Sequence, residues 1–118
     1  MVSELVIKTI NESGALVIEL AGMLDGHTCP ELNAFVQDDL ITKAQHVIFE
    51  LGHLSYISSA GMSIFIGIQQ DKITHGGTVH LVNPSASVGE VFNLLGLHAL
   101  FPIHANLNAA LETIQPSD

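Results

Sequence analysis

Residues His46 to Gly67 read HVIFELGHLSYISSAGMSIFIG, and two hydrophobic periods meet inside that stretch. Val47 to Leu51 is short, apolar and β-branched at its start, which suits a buried strand closing near Glu50. From Ala60 to about Thr74 the pattern turns helical. Met62, Phe65, Ile66, Gln69 and Ile73 fall on one side, and Gly76-Gly77 supplies a stop. A short loop is expected between the two, delivering Ser58-Ser59-Ala60-Gly61 to the helix start. Strand, loop and helix in this order begin a parallel crossover, so the chain reads as α/β.

Working outward, Leu5 to Ile10 and Ala15 to Ala21 read as strands joined by the turn-rich Asn11-Glu12-Ser13-Gly14. Thr28 and Glu31 have capping-box spacing with Pro30 in the first turn. Leu32, Phe35, Val36 and Leu40 then form a helical stripe. Downstream, Thr78 to Val82 is a strand. Asn83-Pro84 opens a helix that turns Val88, Val91, Phe92 and Leu95 inward and stops at Gly96. Phe101 to Ile103 is a last short strand, and Leu107, Ala110, Leu111 and Ile114 mark a closing amphipathic helix. The predicted order is ββαβαβαβα: one mixed five-stranded sheet with four helices and right-handed crossovers. A single domain is expected over 1–118, with a short disordered tail at about 115–118.

The composition bounds what such a domain can do. Of 118 residues, 47% are hydrophobic and 13% charged, which is the make-up of a folded globule. Twelve acidic residues face three lysines (Lys8, Lys43, Lys72) and no arginine, for a net charge of −9. Phosphate backbones and anionic membranes select the opposite sign. Apolar runs are short or interrupted, and MVSELVIKTI lacks a basic start before an apolar stretch, so neither a membrane span nor a signal peptide is expected. Cys29 is the one cysteine, in keeping with a reducing, cytoplasmic setting.

Chemistry-bearing residues are few. One of Ser58 and Ser59 is needed as an N-cap, which leaves the other for a different role. A nucleophile elbow requires G-x-S-x-G, whereas Ile57 stands two before Ser59 and Tyr56 two before Ser58. The serine-hydrolase reading therefore lacks its turn, and no enzyme is expected. His27, His46, His53, His75, His80, His98 and His104 are scattered without i,i+4 pairs or HExxH, which predicts surface or loop histidines and no metal. Gly76-Gly77 precedes a strand and so makes no phosphate loop. Cys29 reads as a first-turn packing residue.

The central stretch resembles the signature of STAS domains in stand-alone anti-sigma factor antagonists of bacteria. There a hydrophobic strand and an acidic residue lead into a D-S-[SA]-G-[LM] helix start. Ser59 falls on the phosphoacceptor serine, Ala60 on a small position, Gly61 on the glycine, Met62 on the aliphatic position and Glu50 on the acidic one. Gly22-Met23-Leu24-Asp25 is similar to the family's G-x-L-D, and Gly96 to Ile103 to its G-L-x-x-L-F-x-I ending. The departure is Ser58, which stands where the family often has aspartate and is a rival acceptor.

The resemblance implies a partner switch without a cofactor. The unmodified protein would bind an anti-sigma factor that is also a serine kinase and so free the sigma factor. Phosphorylation of Ser59 would end binding, and a PP2C-like phosphatase would restore it. Asp25, Ser58, Ser59, Ala60, Gly61 and Met62 would form the partner surface, with Glu50 close behind Asp25. Asp25 could equally be a loop residue preparing the helix at Thr28. Gly61 could be a small packing residue, and Met62 a core residue. A variant would use the same serine in another partner-switching pathway, a stressosome or a lipid-transport complex. A monomer or weak dimer is expected.

Overall fold

Leu5–Glu12 (β1) and Ala15–Leu24 (β2) form an antiparallel hairpin in the computed structural model, which describes residues 5–12, 14–37 and 39–114. Asn11 and Glu12 pair with Leu16 and Ala15, so the turn is two residues long and not the tetrapeptide anticipated. Gly14 occupies φ +86°, the left-handed region that tight hairpin turns require. The expected tail at 115–118 lies outside the described residues.

The remaining elements are α1 (Cys29–Val36), α2 (Asp39–Lys43), β3 (His46–Ile57), α3 (Ser59–Thr74), β4 (Thr78–Val82), α4 (Ala86–Leu95), β5 (Ile103–His104) and α5 (Leu107–Ile114). A 3₁₀ turn, Leu97–Ala99, follows α4. Strand order is β1-β2-β3-β4-β5, antiparallel at the first pair and parallel at the other three. This is the mixed five-stranded sheet that the periodicities predict.

One predicted helix is split in two. Leu32 is buried and Phe35 and Val36 half-buried in α1, but Leu40 belongs to α2. The reason is tertiary. Lys72 of α3 is buried, and its Nζ donates to the carbonyls of Ile41, Thr42 and Ala44, satisfying the C-terminal end of α2. Burial lowers the Lys72 pKa. The inward face of α3 is accordingly rotated from the predicted one. Lys72 is 3% exposed, whereas Ile73, expected inside, is 60% exposed. Leu95, also expected inside, is 56% exposed at the end of α4, ahead of the left-handed C-cap Gly96.

The largest correction concerns β3. It does not close near Glu50 but runs on to Ile57. Pairing with β4 ends at Glu50↔Val82, while pairing with β2 continues to Leu24↔Ile57 through two register shifts. The edge bared where β4 stops is covered by α4. Ser85 Oγ donates to Leu54 O (2.6 Å) and Ser87 Oγ to Ser55 O (2.9 Å). Ser85 is also the N-cap of α4, so that helix starts later than Asn83-Pro84 predicts. At the far edge, β5 is Ile103–His104, because Phe101 turns into the core and the Pro102 carbonyl accepts from Leu81 N (3.0 Å).

One sheet face carries the main core. Leu16, Ile18, Leu20, Val47, Phe49, Leu51, Val79 and Leu81 pack against Leu32, Phe65 and Phe92 of the helices. Phe49 and Phe65 meet at 4.6 Å between ring centroids. The other face has a smaller core in which α5, as expected, places Ala110 and Leu111 over Ala15, Val17, Ile48 and Val82.

That second face also overturns the expectation that every histidine lies at the surface or in a loop. His80 of β4 is 5% exposed. Its Nδ1 is 3.1 Å from His104 Nε2, and its Nε2 is 3.1 Å from Thr78 Oγ1. Thr78 Oγ1 in turn lies 2.8 Å from His46 Nδ1. Burial, then the neighbouring His104 and His46, lowers the His80 pKa from 6.5 to about 4. The ring is therefore neutral in the fold but protonates first in the unfolded chain. The stability it preserves is complete above about pH 6.5 and is lost as pH falls toward about 4. Urea titrations across this window should show a loss of up to about 3 kcal/mol. His80→Gln should flatten that slope, and an unchanged slope would assign it to other groups.

Candidate functional site

β2 and β3 leave the sheet side by side. Leu24 and Ile57 are register partners, and Ser58 N donates to Leu24 O (2.8 Å). The loop after β2 and the start of α3 are thereby joined at the carboxyl ends of two parallel strands, where α/β folds gather functional groups.

Asp25 follows Leu24 directly. Its Oδ1 accepts from His27 N (2.9 Å) and Thr28 N (3.0 Å). Of the two roles open to Asp25, the turn-building one is visible. The Thr28 backbone bond is the main cause holding its carboxyl below the usual range, so it is ionised at neutral pH. The predicted capping box does not form. Thr28 Oγ1 instead donates to Met23 O (2.8 Å) and accepts from Asp25 N (3.0 Å), which locks the loop but leaves the first N–H groups of α1 without a side-chain cap. Cys29 is buried beneath this loop. Burial pushes its thiol pKa up against a hydrogen bond from Ser58, and the Asp25 charge raises it further. A thiol kept protonated is a packing group and a poor nucleophile.

The two serines divide their roles. Ser58 is extended (φ −94°, ψ 170°), and its Oγ accepts from Gly61 N (3.2 Å), making it the N-cap of α3. Ser59 is the first helical residue, with an exposed side chain. Its carbonyl accepts from Ser63 Oγ (3.1 Å), and among the described residues nothing is hydrogen-bonded to its hydroxyl. Ala60 is exposed beside it. Gly61 is buried, and a Cβ there would lie 2.7 Å from Leu24 Cγ, so the glycine lets α3 sit directly on β2. Met62 is 7% exposed and belongs to the core.

Glu50 does not join this group. It lies seven positions before Ile57 on one continuous strand, roughly 20 Å away at strand rise. There its carboxylate accepts from Asn83 Nδ2 (2.8 Å) and Gly52 N (3.0 Å). Sequence reasoning also missed a groove of about 720 Å³ between α1–α2 and α3, lined in part by Val36, Ile41, Ala60, Ser63 and Ile64. It begins beside Ser59. Its only sequence signal is the run of small residues Ala60, Ser63 and Gly67 on one helix face. Among the described residues no three potential metal ligands converge, and no described helix is long and apolar enough to cross a membrane.

A model of the STAS domain matches residues 6–110. The chain belongs to the STAS domain family. It is 28% identical over 102 residues to the anti-sigma F factor antagonist of Paenibacillus polymyxa, covering 84% of this chain and 86% of that one. Its fold is similar to that of an anti-sigma factor antagonist from Mycobacterium paratuberculosis, with a TM-score of 0.85, 18% identity and 96% of each chain covered. It is also similar to SpoIIAA, solved in unphosphorylated and phosphorylated forms. Their TM-scores are 0.71 and 0.69 at 24% and 23% identity, covering 94% and 95% of this chain and 96% and 100% of the other.

In this STAS domain the cap and the exposed hydroxyl are separable. Ser58→Ala should lower stability by about 1 kcal/mol through loss of the cap. Ser59→Ala should stay within about 0.5 kcal/mol of wild type. Urea unfolding midpoints decide it, and equal losses would mean that both serines serve the helix.

Proposed function

We propose that this STAS domain is an anti-sigma factor antagonist whose unphosphorylated form binds an anti-sigma factor with serine-kinase activity and frees the sigma factor. Phosphorylation of Ser59 ends that binding, and a PP2C-like phosphatase reverses it. The observation that carries the reading is the exposed Ser59 hydroxyl at the first position of α3, beside a cap already supplied by Ser58. The names of the relatives support the partner class, and a phosphorylated form among the structural neighbours supports the switch.

The physics of the switch follows from position. A phosphoserine adds about −1.5 to −2 charge at neutral pH. At the N-terminus of a 16-residue helix, backbone N–H groups and the helix dipole accept that charge, so the fold survives modification. A partner seated on Asp25, Ser58, Ser59 and Ala60, with Gly61 and Met62 holding the helix from beneath, does not tolerate it. The surface already carries an ionised Asp25. The whole chain has no arginine to offset a further anion. Loss of a neutral contact and new repulsion therefore act together. With no aspartate before Ser59, kinase recognition rests on Asp25 and the helix start.

Two measurements test the reading. In calorimetric titrations against the anti-sigma factor, Ser59→Ala should bind, while Ser59→Asp should bind roughly a hundredfold more weakly. Both should have the circular dichroism of the wild type. Equal affinities would reduce Ser59 to a structural residue. After incubation with the kinase and ATP, peptide mass spectrometry should place phosphate on Ser59. Phosphate mainly on Ser58 would overturn the assignment, because that hydroxyl is the one engaged with Gly61 N.

A further inference from the structure

Among the described strands β1 is an outer one, paired on one side only. The opposite edge, β5, is two residues long and offers no comparable template. Strand alternation puts Val6, Lys8, Ile10 and Glu12 on one face of β1. Val6 and Ile10 are large apolar residues, 46% and 47% exposed, and Lys8 and Glu12 are exposed beside them. The hairpin closes on Glu12↔Ala15 across a two-residue turn, and such a closing pair is hydrogen-bonded. Glu12, Ile10 and Lys8 therefore direct their backbone groups toward β2. Those of Asn11, Thr9 and Ile7 point outward.

We propose that a second copy of this chain adds to β1 as an antiparallel strand, about a two-fold axis through Ile10. Lys8 of each copy then stands opposite Glu12 of the other. Ladder parity leaves few self-pairing registers. An axis at Lys8 sets lysine against lysine. An axis at Thr9 sets Lys8 against Ile10 and Glu12 against Val6, so each charge meets an apolar side chain. An axis at Ile10 gives an apolar Ile10–Ile10 pair flanked by two Lys8–Glu12 pairs. All three are non-hydrogen-bonded pairs, whose side chains lie closest, while the outward groups of Thr9 and Asn11 form the ladder. A lysine on an edge strand normally repels further pairing. Here Glu12, four residues on, converts that protection into selection of one register. Within its own hairpin Lys8 also lies across from Glu19, so its ammonium would sit between two carboxylates. The contact is short and the chain strongly acidic, so the dimer is weak and concentration-dependent.

The surface is independent of the serine switch, since Ile10 pairs with Val17, at the other end of β2 from Leu24. Sedimentation equilibrium of the whole chain over a wide concentration series tests it. Wild type should fit a monomer–dimer equilibrium. K8E and E12K should each weaken dimerisation by about tenfold or more, because each reverses two symmetry-related pairs. The K8E/E12K double variant should recover to near wild type. K8E and the double variant place the same acid across from Glu19, so recovery reports the contact between copies, and circular dichroism verifies folding. A monomer at every concentration overturns the proposal. So does a dimer indifferent to K8E, or a double variant no better than the single ones.

Discussion

The parallel pairing of β2 with β3 outlasts that of β3 with β4, and the rest of the structure is arranged around this overhang. From Glu50↔Val82 onward, β3 keeps only one strand neighbour until Leu24↔Ile57. Because both strands end together, the turn at Asp25 and the serines at 58 and 59 emerge as one surface, tied by Ser58 N to Leu24 O. Gly61 then lets α3 rest on Leu24 without a Cβ between them. The overhang would expose unpaired carbonyls, and Ser85 and Ser87 of α4 satisfy two of them. Strand length, helix seat and site geometry are consequences of one register.

Within that surface, structural and chemical duties fall on different residues. Thr28 and Asp25 build the turn, Cys29 fills the space below it, Ser58 caps the helix, and Met62 anchors it to the core. Ser59 and Ala60 are left outside, exposed to solvent. A modification at Ser59 would therefore meet a rigid frame that does not depend on its hydroxyl.

The two sheet faces differ in the same spirit. One is covered by α1 to α4 and carries the aromatic core. The other is covered in part by α5, and holds polar groups such as His80 and Thr78 that are satisfied within the fold. Buried polar side chains here serve packing: Lys72 closes α2, and the neutral His80 ring is held among its neighbours.

Much of the fold was legible because it is periodic. Thr78–Val82 and the closing helix, including its Leu107 start, follow from alternation and 3.6-residue spacing alone, as does the order of strands and helices. The family was legible in Ser59-Ala60-Gly61-Met62 together with the flanking Gly22–Asp25 and Gly96–Ile103 segments. What the sequence could not determine depends on contacts distant along the chain. Residues 52–56 read as a loop, GHLSY, yet extend as strand because β2 and the α4 serines hold them. Lys72 displaces Ile73 from the buried face because α2 presents carbonyls to it. Two adjacent serines before one helix are equivalent to any local rule. Only the end of β3 at Ile57, pinned by Leu24, makes Ser58 the extended residue whose hydroxyl turns back to Gly61 and leaves that of Ser59 exposed.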